Sequence, residues 1–340
     1  MSEESTIKSP NSGGRLKAMN EVDGSAAAKP RRGVYFIAND AVLDLAIAFL
    51  NSFRRFNPTI ALCLIPFDDN AKKVLRLRDR YRFSVWSDRA TFDWSDAIAR
   101  RFHPEHRHQH YRKLALWQAE FDEFLYIDVD TVILGNVDFV FDFLSEYDFV
   151  MSDSNRADHI KSVWRDSIYA TGKLSTEQIG FAASTGFIAS KRGLLSKDFV
   201  DASLDAALEL APSMELGAYE QPFLNYLMVT SALRSTSLWL LAKTHKWVRL
   251  ECWAGDPTAI RRGGQIFRYD GRVEQVPALL VHWAGVWHWK GGVLDRLRTK
   301  IFYKARGLGV VTGHPKQRMR LFLRHGWLWR YYRYLGSVIR

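Results

Sequence analysis

The stretch 124–134, Phe-Leu-Tyr-Ile-Asp-Val-Asp-Thr-Val-Ile-Leu, constrains this chain more than any other. Its apolar run, rich in aromatic and aliphatic residues, reaches Ile127, is interrupted by Asp128 and Asp130, and resumes at Val132. A run of this kind describes a buried central strand. Buried carboxylates are costly unless paired or bound to metal, so packing does not explain the two aspartates. Side chains at i and i+2 of a strand share a face, and ligands of open α/β sheets bind beyond the carboxyl ends of the strands. The expectation is a divalent-cation site made by Asp128 and Asp130 that holds a phosphorylated ligand.

Upstream, residues 34–38 read as a first strand closing on Asn39 and Asp40. A mostly apolar helix follows over 43–56 and a second buried strand over 59–67, the pattern of a βαβ unit with a parallel sheet. Residues 70–80 read as a charged helix and 83–86 as a short strand. A loop-like region then runs to Gln109. It contains His103, His106 and His108, with His110 just beyond. A zinc site is disfavoured there: no cysteine lies nearby, the spacing fits no closed tetrahedral set, and Arg101, Arg107 and Arg112 interleave with the histidines. A basic loop near phosphate or acceptor is the better expectation. Further expected elements are a helix over 109–120, a short helix over 137–144 and a strand over 147–151. A mobile loop over 157–179, a helix over 198–210 and an apolar strand ending at His282 complete the pattern.

With 340 residues, 47% of them hydrophobic, and 12 Trp, the chain can fold as one large domain or two modest ones. Cys63 and Cys252 make no disulfide framework, and Cys63 lies in an apolar run, which suits a buried thiol in a reducing compartment. The net charge of +11 is local: segment 291–340 carries 12 Lys/Arg against the single acid Asp295. The remaining 290 residues hold 36 basic and 36 acidic side chains. Phe302, Tyr303, Phe322, Trp327, Trp329, Tyr331, Tyr332 and Tyr334 interleave with that charge. Gly307, Gly309, Gly313 and Pro315 break the segment into two short pieces, which suits an anionic membrane surface better than nucleic acid. Residues 1–30 read as a disordered leader, 31–290 as a catalytic domain and 291–340 as a membrane-associating tail. The acidic start and the lack of an apolar run of eighteen residues predict a cytoplasmic protein, peripheral on the inner face of a membrane.

Asp128-Val129-Asp130 after Leu125-Tyr126-Ile127, preceded by Arg112-Lys113, resembles the DxD region of GT-A glycosyltransferases, above all family 8. Three downstream segments are similar to that family's motifs in the same order. Ser184-Thr185-Gly186 resembles its Asn-Ser-Gly segment, and Glu220-Gln221 with Leu224-Asn225 its Asp-Gln-x-x-Leu-Asn element. His282 with Gly285 resembles its His-x-x-Gly-x-x-Lys segment. Departures are Ser184 for Asn, Glu220 for Asp, and Lys290 eight rather than six positions after His282.

The resemblance implies a GT-A (Rossmann-like) α/β fold, a central mixed sheet flanked by helices. It implies transfer of a sugar from a nucleotide-diphosphate-sugar, with UDP as the expected nucleotide, to an acceptor hydroxyl, with retained configuration; the membrane-associating tail adds the expectation of a lipid-linked acceptor or surface glycan. It assigns Mn²⁺ or Mg²⁺ to Asp128, Asp130 and His282, and phosphate contacts to Arg112 or Lys113 and to Lys290. Ala38, Asn39 and Asp40 would face base and ribose, and Ser184, Thr185, Gly186 and Gly285 the donor. Glu220 and Gln221 would stand at the reacting sugar. The residues by themselves also allow Asn39 or Asp40 to be a helix cap and His282 a core histidine. Two rival functions are a haloacid-dehalogenase-type phosphatase with Asp128 as nucleophile, and a non-catalytic membrane-bound scaffold. The phosphatase type carries its aspartate on the first strand, whereas Asp128 follows about a hundred residues that read as folded.

Overall fold

Alternate residues of the strand Arg32–Ala38 pack into different apolar clusters: Tyr35 and Ile37 on one face, Val34, Phe36 and Ala38 on the other. The strand Glu123–Ile127 does the same, with Phe124 and Tyr126 opposed to Leu125 and Ile127. Both faces are therefore covered, which is why these strands read as unbroken apolar runs rather than as alternations.

The computed structural model describes residues 30–105, 109–253, 259–262, 265–269, 275–284 and 305. Twelve strands lie among them: β1 Arg32–Ala38, β2 Ala61–Pro66, β3 Ser84–Val85, β4 Glu123–Ile127, β5 Thr131–Ile133, β6 Phe149–Met151, β7 Phe187–Lys191, β8 Ser235–Ser237, β9 Leu250–Trp253, β10 Ala259–Arg262, β11 Gln265–Tyr269 and β12 Gln275–His282. Seven form one mixed sheet in the order β3-β2-β1-β4-β7-β6-β8, with β4 at its centre. The β1–β2 and β1–β4 pairs are parallel and β7 runs against both β4 and β6. The helix Leu43–Phe56 buries Ala46, Phe49, Leu50 and Phe53 on one face. The helices Arg89–Phe102, Lys197–Leu210 and Gln221–Thr230 cover the other. Trp117, fully buried there, donates its indole N–H to Ser190 Oγ at 3.0 Å. Burying a large side chain of this kind contributes roughly 1.5–3 kcal/mol.

A smaller sheet, β10-β11-β12-β5, takes β9 as a parallel partner of β12. It receives the chain directly from the large sheet. The strand expected to carry Asp128 and Asp130 at its carboxyl end is β4, which stops at Ile127; the chain then turns at Asp128–Asp130, and the apolar residues that resume form β5, which pairs with β12. Thr131 Oγ1 closes the turn by donating to the carbonyl of Asp128 at 2.8 Å.

Three other expectations need correction. The region before Gln109 contains the fourteen-residue helix Arg89–Phe102, capped by Asp88, whose carboxylate accepts from Ala90 N at 3.1 Å. Its buried stripe is Thr91, Phe92, Ser95, Ile98, Ala99 and Phe102. The spacing is helical, but Thr and Ser occupy apolar positions and hide the periodicity. The helix expected over 70–80 is two four-residue helices, Lys72–Leu75 and Arg78–Tyr81, the second ended by Arg82 in the left-handed region at φ 50°. The expected loop over 157–179 holds the helix Ala157–Val163, a 3-10 turn over Asp166–Thr171 and the helix Thr176–Phe181. The last is started by a reciprocal Ser175–Gln178 capping box. The segment Gln109–Trp117 is a 3-10 helix. No helix among the described residues is long and apolar enough to cross a membrane. The leader 1–29 and, apart from residue 305, the tail 291–340 lie outside the described residues.

Candidate active site

Three elements end at one point. β4 stops at Ile127, and Asp128 N donates to the carbonyl of Gly186 at 2.8 Å, just before β7 begins. β12 ends at His282, which pairs in register with Thr131, and Trp283 N donates to the carbonyl of Asp130 at 2.9 Å. The aspartates lie in the turn rather than along a strand, yet they converge. One ligand atom each from Asp128, Asp130 and His282 falls within 4.8 Å of the others. His282 Nε2 lies 3.1 Å from Asp130 Oδ1 and 3.9 Å from Asp128 Oδ2. Asp130 Oδ1 and His282 Nε2 are buried and face each other without completing a hydrogen bond. One oxygen from each carboxylate and one imidazole nitrogen, aimed together, with Asp130 Oδ1 and His282 Nε2 left without a hydrogen bond, fit a divalent cation.

The charges around this point are tightly balanced. Burial works against charging His282, but the carboxylates of Asp130 and Glu251 outweigh it and hold the imidazole well above its ordinary pKa. Burial likewise pushes Asp128 up, and Lys113 and His282 reverse the shift, so its carboxyl lies below the usual range. Lys113 Nζ sits 3.3 Å from Asp128 Oδ1, 2.7 Å from Glu220 Oε1 and 3.1 Å from the carbonyl of Thr185, to which it donates. It also lies 4.9 Å from the centroid of the Tyr126 ring. Tyr126 donates its hydroxyl to Asp128 Oδ1. Lys113 is charged despite its burial, because Asp128 and Glu220 more than offset the desolvation.

Arg112 faces elsewhere. It grips Asp96 with two nitrogens at 3.0 and 3.3 Å, donates to the carbonyl of Pro66 at 3.1 Å and lies over the Phe92 ring. Of the two basic neighbours, Lys113 is the one the structure brings to Asp128. Glu220 accepts from Thr185 Oγ1 at 3.1 Å as well as from Lys113. Gln221 Oε1 accepts from Thr185 N at 3.2 Å, and its amide donates to Ser162. Ser184 is buried, with Oγ 3.4 Å from Gly186 N. Gly186 itself admits no side chain: an added Cβ would meet His282 Cε1 at 2.4 Å and Asp128 Oδ2 at 2.9 Å.

A cleft of about 210 Å³ opens beside the aspartates, lined among others by Ile37, Ala38, Asn39, Phe67, His110, Lys113, Tyr126, Asp128 and Asp130. Asn39 lines the cleft, and its Oδ1 caps the following turn, accepting from Ala41 N at 3.1 Å. Asp40 is turned away and caps the helix Lys72–Leu75, accepting from Lys73 N and Val74 N at 2.7 and 3.1 Å. Gly285, Lys290, His106 and His108 lie outside the described residues.

In the sequence His110 stood out only within its group of histidines, and Tyr219 and Glu251 went without a role. His110 stacks on Tyr219 at 4.3 Å in the cleft wall, and burial holds its pKa below the ordinary value. Tyr219, next to Glu220, takes φ 57°, a costly value for an aromatic residue. Glu251 contacts His282 Nδ1 and is buried. Its signal was present: a lone acid in the apolar run Leu250–Trp253, the same contradiction that exposed Asp128.

With this geometry in view, solved structures give the fold a place. A bifunctional glycosyltransferase, WbbM, matches with a TM-score of 0.55 at 13% identity, covering 91% of this chain and 53% of that one. The fold is that of the GT-A glycosyltransferases. The chain spans only about half of that bifunctional protein. The galactosyltransferase LgtC, solved with donor and acceptor sugar analogues, matches at TM-score 0.48 and 15% identity, over 85% of this chain and 100% of that one. Mouse xyloside xylosyltransferase 1 matches at TM-score 0.42 and 11% identity, over 58% and 80%. No protein-family model and no curated protein matches the chain. Asp128, Asp130 and His282 lie beyond the carboxyl end of the central strand, where open α/β sheets bind their ligands.

Proposed function

We propose that the chain transfers a sugar from a nucleotide-diphosphate-sugar to an acceptor hydroxyl. The observation that carries this is the convergence of Asp128, Asp130 and His282 beside an open cleft in a GT-A fold. Asp128, Asp130 and His282 would hold Mn²⁺ or Mg²⁺, and the imidazole in the set suits Mn²⁺ better. When bound, the cation supplies Lewis-acid stabilisation to the departing diphosphate. Lys113 holds Asp128 ionised and in place. Glu220, fixed by Lys113 and Thr185, and Gln221, fixed by Thr185 N, are the polar groups that would face the donor sugar. Ala38 and Asn39 supply the cleft wall for base and ribose. UDP as the nucleotide and retention of configuration extend the reading through the family 8 motifs, and a glycan or lipid-linked acceptor extends it through the basic aromatic tail.

The phosphatase alternative has less support. Asp128 follows the fourth strand, and both its oxygens lie within 3.5 Å of Lys113. The tail 291–340 is proposed to bind an anionic membrane surface, on its sequence alone.

A thermal-shift screen of UDP, GDP and ADP, each with and without Mn²⁺, tests the central reading. One nucleotide should raise Tm in a metal-dependent way, and donor hydrolysis should follow the same preference. If no nucleotide diphosphate stabilises the protein with Mn²⁺ present, the reading fails.

A further inference from the structure

We propose that Glu251 is the positioning residue of the cation site, fixing which nitrogen of His282 faces the aspartates. The inference rests on the cation-site reading above and goes beyond it.

Glu251 lies on β9, beside β12, and pairs in register with Leu280. Its side chain is 1% exposed, and both carboxylate oxygens are in use. Oε1 takes His282 Nδ1, and Oε2 takes the hydroxyl of Ser152, which follows β6 and is itself fully buried. Ser152 therefore orients the carboxylate, and the carboxylate orients the ring. With Nδ1 committed to Glu251, Nε2 is the nitrogen 3.1 Å from Asp130 Oδ1. In the neutral ring the same contact places the N–H on Nδ1 and leaves the Nε2 lone pair toward Asp128 and Asp130. A carboxylate behind a ligating histidine also makes the ring a stronger donor.

Packing does not explain Glu251. It sits between Leu250 and Cys252, both buried, where an apolar residue of similar volume would fill the space without desolvating a charge. The chain Ser152–Glu251–His282 also joins the residue after β6 to β9 and β12, so a ring held by it follows both sheets.

The test is Mn²⁺ affinity, read from the electron paramagnetic resonance signal of the free ion. It is measured on folded full-length protein at one fixed pH, with Mn²⁺ alone and again with UDP present. Glu251→Gln keeps the size and two hydrogen-bonding ends of the side chain. It should weaken Mn²⁺ binding about tenfold or more. The same substitution made in His282→Ala should produce no further loss, because Glu251 acts through that ring. Ser152→Ala, which leaves every charge in place, should weaken binding several-fold and again only when His282 is present; it carries the test if Glu251→Gln does not fold. Unchanged affinity in these variants overturns the inference and leaves the cation site standing. So does an equal loss with and without His282, which would mark Glu251 as a distant charge only. Wild-type protein that takes up no Mn²⁺ in either condition overturns the reading of the site itself.

Discussion

At Gly186 an added methyl group would stand 2.4 Å from His282 Cε1 and 2.9 Å from Asp128 Oδ2. Neither neighbour can yield cheaply, since His282 is held by Glu251 and Asp128 by Lys113 and Tyr126. Gly186→Ala should therefore cost about 1–3 kcal/mol through overpacking and weaken Mn²⁺ binding together with stability; melting curves with and without Mn²⁺ check both. Asp130→Asn should abolish metal-dependent nucleotide binding while the fold persists, and calorimetry that finds unchanged affinity with Mn²⁺ present would remove Asp130 from the ligand set. The raised pKa of His282 adds a pH dependence. Burial disfavours its charge, and Asp130 and Glu251 more than offset that. A folded pKa above the unfolded value gives stability that is complete below about 6.5 and is lost as pH rises through the raised value. Ligation needs the neutral ring, so cation binding displaces that proton and gains as pH rises. The metal-free Tm should fall with increasing pH above about 6.5 while the increment given by Mn²⁺ widens. Both trends should be weaker in His282→Ala, and trends of undiminished size in that variant would assign them to other groups.

Elements were legible where one physical signal dominated. β1, the helix Leu43–Phe56 and β12 follow apolar or mostly apolar stretches and are found where those stretches predict them. The helix Arg89–Phe102 was missed because Thr91 and Ser95 replace apolar residues on its buried face, even though Asp88 offered a cap. Asp88→Ala should lower stability by about 1 kcal/mol, measurable by urea denaturation; no change would mean that packing of the helix, not its cap, fixes its start. The end of β4 is legible from the two aspartates, but that the chain turns there and starts a strand of a second sheet is not, because Val129 and Val132 continue the apolar pattern and only the choice of partner strand reveals the break. The same limit applies within the candidate site. Asp128, Asp130 and His282 stood out as polar residues in apolar surroundings. That Lys113 and not Arg112 meets Asp128 depends on where Asp96 and the Pro66 carbonyl lie, which is a tertiary fact.

For the whole molecule, the charge balance of residues 1–290 isolates the basic excess in 291–340. Each basic residue near an anionic surface contributes about 1 kcal/mol, so even part of the 12 can hold the protein to a vesicle at low salt. Full-length protein should sediment with anionic vesicles, less so as salt rises, and a variant ending at Gly291 should not. Equal sedimentation of the two, or displacement by RNA, would defeat the membrane proposal. The order of strands along the chain carries a different consequence. The seven-stranded sheet is complete at Ser237, whereas His282 arrives with the last described strand. At roughly 5–20 residues per second of synthesis, that interval lasts on the order of seconds. A growing chain has thus made every strand of its large sheet before it has made His282, the last member of the proposed cation group.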